Sequence, residues 1–303
     1  MVQRFPITLT QLVYFAECAK TLNMTAASAE LHVAQSAVST AITQLERSLG
    51  ASLFIRQHSK GLILTTAGET LLRDAHHLFG TLNDTIDSIR ADQREVHGSI
   101  TIACFKTLAP FVLPRLLSSV RETHPGLDVT VLEGDHSECL AALRDGRAEL
   151  AVTYDLPSGD GIENTLVAEF RPHVILARSH PLAQRERIAL AELADEPFVL
   201  LDLPSSSDYF VRILTDAGIS PNLRYRSTSY ETVRSMVAMG LGFSILNQRP
   251  RTAQTYAGAE IAAVEISDDA AGLTMEVSSL AQVRRSSRAR AVEEAIGALF
   301  SPN

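Results

Sequence analysis

The sequence contains no tryptophan and only three cysteines, Cys18, Cys104 and Cys139, among 303 residues. No CxxC pair or His-rich spacing accompanies them, which argues against a zinc ribbon, a thioredoxin-like redox site and a disulfide scaffold. The nine histidines form no metal signature. His76 and His77 are adjacent, about 100° apart on a helix, and cannot chelate from one face. No apolar run reaches the roughly 18 residues of a membrane span. The start is polar, with Phe5-Pro6 where a secretory signal would need an apolar stretch. A cytoplasmic protein is expected, without membrane attachment. There is no GxSxG, no P-loop and no GxGxxG after a strand. Met239-Gly240-Leu241-Gly242 precedes a strand, the reverse of the dinucleotide-binding order. No enzyme activity, metal or cofactor is expected. Low-complexity segments and repeats of solenoid period are also missing.

Basic charge is scarce overall but unevenly placed. Lys and Arg number 27 against 35 Asp and Glu, a net charge of −8. Residues 1 to 65 nevertheless carry +2, so the remainder carries −10. An acidic body repels nucleic acid and would confine such binding to the N-terminal segment.

That segment has a readable order. Residues 23 to 65 run NMTAASAELHVAQSAVSTAITQLERSLGASLFIRQHSKGLILT. Thr8 and Gln11 fit a capping box before Leu9, Leu12, Phe15 and Ala16. Asn23 can cap a second helix. A third runs from about Gln35 to Leu49, with Val38, Ile42, Leu45 and Leu49 on one face, and Gly50 stops it. Leu53 to Ile55 and the tip from Arg56 to Gly61 read as a wing. Ser36, Ser39, Thr40 and Thr43 lie off the apolar stripe. Outward Gln, Ser and Thr suit base-edge and phosphate contacts. The layout is that of a winged helix-turn-helix. A small helical bundle with a solvated polar face would produce the same helix pattern.

Residues 9 to 68 resemble the LysR-type transcriptional regulators. The matching residues are Leu12, Phe15, Asn23-Met24-Thr25-Ala26-Ala27, Leu31, Gln35-Ser36-Ala37-Val38-Ser39, Ile42, Leu45-Glu46, Leu49-Gly50, Leu53-Phe54, Arg56 and Leu64-Thr65-Thr66-Ala67-Gly68. The rest of the chain has the length and order that the family requires. The resemblance implies that Gln35, Ser36, Ser39, Thr40 and Thr43 lie at or near the DNA groove. It also implies that Thr25 and Arg56 contact phosphate and that Lys60 sits on the wing. Position 40 is often longer or basic in such proteins and is Thr here, and the wing is sparsely charged. Both departures leave the preferred DNA sequence open.

From Thr66 to Asp92, Leu71, Ala75, Leu78, Leu82, Ile86 and Ile89 recur in steps of three and four. This a/d-like seam on one helix predicts dimerisation. The alternative is a helix packed on its own body. The family resemblance implies a linker helix of this kind and a dimer of dimers, whereas the seam by itself argues only for a dimer. Beyond His97-Gly98 the pattern alternates βα, which predicts parallel sheets flanked by helices. The resemblance implies two periplasmic-binding-protein-like lobes, with crossings near Ala168 and Ile266. The expected fold class is therefore α/β with an N-terminal all-α winged helix-turn-helix. Its divisions are residues 1–65 (head), 66–97 (linker), 98–167 with 266–303 (lobe 1) and 168–265 (lobe 2).

Ligands of such sheets bind beyond the carboxyl ends of the strands, at helix N-termini. The loops there are rich in hydroxyls, with Lys106 as a candidate counter-ion. Lys106, Thr107, Ser137, Ser205, Ser206 and Ser229 are the candidate contacts for a small, anionic effector. Any one of these Ser or Thr residues could instead only cap a helix. Cys104 and Cys139 could lie near one another at the cleft, which leaves a redox-responsive regulator as an alternative. An enzyme or solute-binding body with an accessory helix-turn-helix is a further one. Arg284, Arg285, Arg288 and Arg290 read as a solvated basic surface. The expected partners are double-stranded DNA, a small-molecule effector, further copies of the chain and RNA polymerase.

Overall fold

The computed structural model describes residues 5–57, 61–89 and 96–301. They form two compact units, one of residues up to 89 together with 144–147, and one of the remaining residues from 96 onward.

The N-terminal unit is assembled from caps and one apolar stripe. Helix α1 (Leu9–Thr21) opens on a reciprocal capping box: Gln11 N donates to Thr8 Oγ1 at 3.2 Å, and Thr8 N donates to Gln11 Oε1 at 2.8 Å. Asn23 Oδ1 accepts from Thr25 N and Ala26 N and starts α2 (Met24–Glu30). Helix α3 (Gln35–Leu49) ends at Gly50, which is left-handed with φ 66°. Val38, Ile42 and Leu45 face inward and meet Phe15, Cys18 and Ala27 in one buried cluster. Strands β1 (Phe54–Gln57) and β2 (Gly61–Leu64) form an antiparallel wing. Hydrogen bonds tie the wing to the helices, among them one from Phe54 N to Glu46 Oε1 at 3.3 Å. Glu46 Oε1 accepts from Leu53 N at 2.8 Å, and Leu62 N donates to Leu22 O at 2.8 Å.

Helix α4 (Thr66–Ile89) follows directly. Leu71 packs against the head core, whereas Leu78 and Ile86 are 41% and 43% exposed. The far part of the seam is thus uncovered in a single chain. Residues 90–92 of the expected helix lie outside the described residues.

The C-terminal unit has two lobes. In the first, β3 (Gly98–Phe105) lies between β4 (Leu127–Gly134) and β5 (Leu150–Tyr154), parallel to both. Helices α5 (Ala109–Thr123) and α6 (His136–Arg144) make the crossovers. The sheet order is completed by β13 (Leu273–Leu280) and β6 (Ile162–Phe170), and β13 runs antiparallel to both β5 and β6. The second lobe contains β7 (His173–Ala177), β8 (Arg187–Ile188), β9 (Pro197–Leu201), α7 (Ser207–Asp216), β10 (Asn222–Ser227), α8 (Tyr230–Ala238), β11 (Ser244–Leu246) and β12 (Ile261–Ile266). Strand β7 is antiparallel to β11 and β12, while β9 and β10 are parallel. Helix α9 (Ser287–Phe300) follows β13 and packs on α5 in the first lobe.

Both lobes are therefore mixed sheets, which corrects the expectation of parallel ones. The chain leaves lobe 1 along β6 and re-enters beside it along β13, so the crossing strands must oppose one another. The arginine cluster also differs from expectation. Arg285 pairs with Glu293 at 2.6 Å and Glu163 at 3.5 Å, and Arg288 is buried at 4% exposure beside Glu149. These side chains anchor α9 to the sheet, because a buried guanidinium requires charged or carbonyl partners.

Candidate functional site

On the N-terminal unit, the polar face of α3 is opposite its buried stripe. Gln35, Ser36, Thr40 and Thr43 are exposed, and Ser39 is half-buried. Thr43 Oγ1 donates to Ser39 O at 2.9 Å, which leaves its lone pairs and methyl group outward. Thr25 is exposed in the first turn of α2, and Arg56 is exposed on β1 opposite Leu62. Lys60 lies outside the described residues. Hydroxyls, an amide and one guanidinium are groups able to bond base edges and phosphates.

Within the C-terminal unit, the space between the lobes divides into a cavity and an outer groove. The cavity is small, with room for about one water molecule. Phe105, Thr107 and Tyr154 reach it from lobe 1, and Leu203, Ser206, Asn247 and Gln248 from lobe 2. The groove is lined by Lys106, Thr107, Arg115, Ser229, Arg249 and Arg251, with Phe111 and Tyr230 edge to face at 5.9 Å. Of the six expected contacts, Thr107 and Ser206 thus face the cavity, and Lys106, Thr107 and Ser229 the groove. Ser137 and Ser205 are exposed and line neither. Ser229 Oγ accepts from Thr232 N at 3.3 Å and caps α8. Ser205 carries a left-handed φ of 67° just before α7. Tyr154 ends β5, at the carboxyl end of a strand where the sequence places such a site, whereas Asn247 and Gln248 reach the cavity only through tertiary packing.

Burial governs ionisation here. It pushes the Tyr154 phenol well above its usual pKa, and the Thr107 hydroxyl offsets this only in part. Tyr230 is raised by burial too, with Arg234 opposing. All three cysteines are free and buried. Burial pushes Cys139 up to about 12 and Cys104 further, so thiolate is scarce in both. Such thiols are poor nucleophiles, which weighs against the redox alternative.

Comparisons with known proteins agree with this geometry. The family model for the lysR-type bacterial regulatory helix-turn-helix protein matches residues 9–69, and the LysR substrate binding domain matches residues 93–301. The HTH-type transcriptional regulator CfxR of Cupriavidus necator is 32% identical over 247 residues, covering 80% of this chain and 76% of that one. The crystal structure of HinK, a LysR family regulator from Pseudomonas aeruginosa, matches at a TM-score of 0.66 and 31% identity, covering 97% and 99% of the two chains. A full-length OxyR from Pseudomonas aeruginosa shares the fold at a TM-score of 0.79 with 21% identity, covering 97% and 99%. A helix-turn-helix head with an outward polar helix, joined to a two-lobed body with a cavity between its lobes, therefore identifies this chain as a member of the LysR family of effector-modulated, DNA-binding transcriptional regulators.

Proposed function

We propose that Gln35, Ser36, Ser39, Thr40 and Thr43 read DNA and that Thr25 and Arg56 hold phosphates, with Lys60 on the wing. In this reading a small effector bound between the lobes sets the affinity or geometry of binding. The observation that carries it is the α3 face, which exposes four polar side chains opposite the buried Val38, Ile42 and Leu45; Leu49, expected in the same stripe, is exposed at the helix end. Base contacts specify and phosphate contacts position, so the two groups of residues have separable effects. The effector touches Thr107 and Ser206, with Lys106 and Ser229 at the groove and Ser137 and Ser205 nearby. It acts only through its differential affinity for two arrangements of the body.

The division into head, linker and two lobes follows the boundaries 1–65, 66–97, 98–167 with 266–303, and 168–265. The protein acts by binding rather than by turnover. The uncovered seam of α4 pairs two copies, and two such dimers associate on DNA. RNA polymerase is the partner through which binding alters transcription. No helix among the described residues is long and apolar enough to cross a membrane. A regulator of this class works where the chromosome is, in the cytoplasm. The test is a DNA titration with and without the best ligand from a thermal-shift screen of small metabolites, on wild type, Lys106→Ala and Thr107→Val. Loss of the ligand response in the variants is expected. An unchanged response in both would place the effector elsewhere.

A further inference from the structure

The groove between the lobes differs from the cavity in size and in charge. The cavity has room for about one water molecule, whereas the groove holds about 1040 Å³, enough for a ligand well beyond a simple acid. Lys106, Arg115, Arg234, Arg249 and Arg251 line the groove, and Glu231 is the single carboxylate among its described lining residues. Glu231 is already taken by Arg234. Arg115 bonds the Leu299 carbonyl at 3.0 Å and lies over the Phe300 ring at 5.9 Å, contacts that leave its charge uncompensated. Arg249 and Arg251 are exposed and, like Lys106, make no ion pair among the described residues. Lys106, Arg115, Arg249 and Arg251 thus face one space with no carboxylate to balance them, in the part of the chain that carries −10. Their mutual repulsion is relieved by an anion of several charges more than by one of a single charge.

One wall of the groove is fixed in advance. Arg234 is 4% exposed and donates to Thr252 O at 3.1 Å and Gln254 O at 3.2 Å, while Glu231 Oε1 accepts from Tyr256 N at 2.7 Å. A buried ion pair on α8 therefore pins the segment 252–256 to the helix. Breaking a buried guanidinium away from such partners is costly, so the segment holds its place.

The Tyr256 ring, on this pinned backbone, is 94% exposed. An anchored backbone that presents a bare ring is a flat platform, and little ordering is lost when a ligand stacks on it. Phe111 and Tyr230, edge to face at 5.9 Å, add apolar surface in the same groove.

We propose that the groove takes a nucleoside diphosphate: the base stacks on Tyr256, and the diphosphate lies on Arg249 and Arg251 with Lys106 as a further counter-ion. Guanidinium forks match phosphate oxygens, and every base offers a π-face. A small carboxylate would engage one cation and leave the ring bare. This rests on the reading that the effector binds between the lobes. It narrows that reading to the groove, so Ser206, which lines only the cavity, leaves the contact set.

The test is thermal unfolding of the full-length protein with ADP, GDP, CDP and UDP, the parent nucleosides and inorganic pyrophosphate. At least one diphosphate should raise the midpoint by about 2 °C or more at saturation, and more than its nucleoside or pyrophosphate does. Tyr256→Ala should weaken that nucleotide by about tenfold and leave pyrophosphate unaffected. Arg249→Gln with Arg251→Gln should weaken the nucleotide and pyrophosphate alike, by about tenfold or more, and leave the nucleoside unaffected. All three side chains are exposed, so these variants keep the fold. Pyrophosphate or a nucleoside that binds as well as the nucleotide, no shift from any diphosphate, or a shift that neither variant changes would overturn the proposal. Lys106→Ala separates the two levels. If no diphosphate binds but this variant abolishes the shift given by a small carboxylate, the cleft remains the effector site and only the nucleotide assignment falls. If it changes the shift of no ligand that binds, the cleft itself is not the site.

Discussion

Asn247 donates its side-chain amide to the Phe170 carbonyl at 3.1 Å and so joins the two places where the chain changes lobes. Phe170 ends β6 as the chain leaves lobe 1, and Asn247 directly follows β11 in lobe 2. The same nitrogen reaches the Tyr209 hydroxyl, which donates to Ala271 O at 2.9 Å on the return crossing. One amide therefore ties both crossings and also lines the cavity.

Asn247→Ala should destabilise the protein by about 1–3 kcal/mol, because it strands the Phe170 carbonyl. Urea unfolding followed through the C-terminal unit measures this. An unchanged midpoint would mean that water replaces the amide without loss.

On DNA, Gln35→Ala and Thr40→Ala should cost about 1–3 kcal/mol at the cognate site and little on random sequence. Arg56→Ala should weaken binding to all sequences and reduce the salt slope by about one. Fluorescence anisotropy across a salt series distinguishes the two. Equal losses on cognate and random DNA for all three variants would contradict the assignment.

Leu78→Asp should give a smaller oligomer, since Leu78 is 41% exposed in one chain and the seam predicts that a partner covers it. Burying an unpaired carboxylate in that contact is costly. Light scattering decides, and an unchanged mass would remove α4 as the dimerisation element.

Glu276 supplies a pH dependence. It is 2% exposed in β13, and burial, reinforced by Asp155, raises its pKa from 4.5 to about 7. Between those values the unfolded chain has lost the proton and the folded one keeps it. Stability therefore falls as pH rises from about 4.5 to 7, by on the order of 3 kcal/mol for a shift of this size. His173 acts in the opposite sense. Burial, with Arg249 nearby, lowers its pKa from 6.5 to about 3, so its contribution falls as pH drops below 6.5. Glu276→Gln should therefore stabilise the protein most clearly at pH 7.5–8, where His173 is neutral in both states. Thermal melts from pH 5 to 8 check this. Equal stability of variant and wild type at pH 8 would show that the Glu276 carboxylate is solvated.

The head was legible from local chemistry. A capping box at Thr8 and Gln11, an Asn cap at position 23, a three-and-four stripe of Val38, Ile42 and Leu45, and the left-handed Gly50 each act within a few residues. Sequence distance and spatial distance nearly coincide there, so the pattern specifies the structure. Most βα units of the body were readable for the same reason. The mixed sheets were not, because β6 and β13 pair across more than a hundred residues and no local signal carries that direction. Likewise hydroxyls at helix starts suit either a cap or an anion: Ser229 caps α8 and also lines the groove, whereas Ser137 and Ser205 line neither space. Tertiary packing decided which side chains face the cleft. It brought Tyr154 from one segment and Asn247-Gln248 from another to one cavity. The sequence by itself determined the class of protein and the helix that meets DNA. Which side chains line the space between the lobes was decided only by the tertiary structure, because the residues that meet there lie far apart in the sequence.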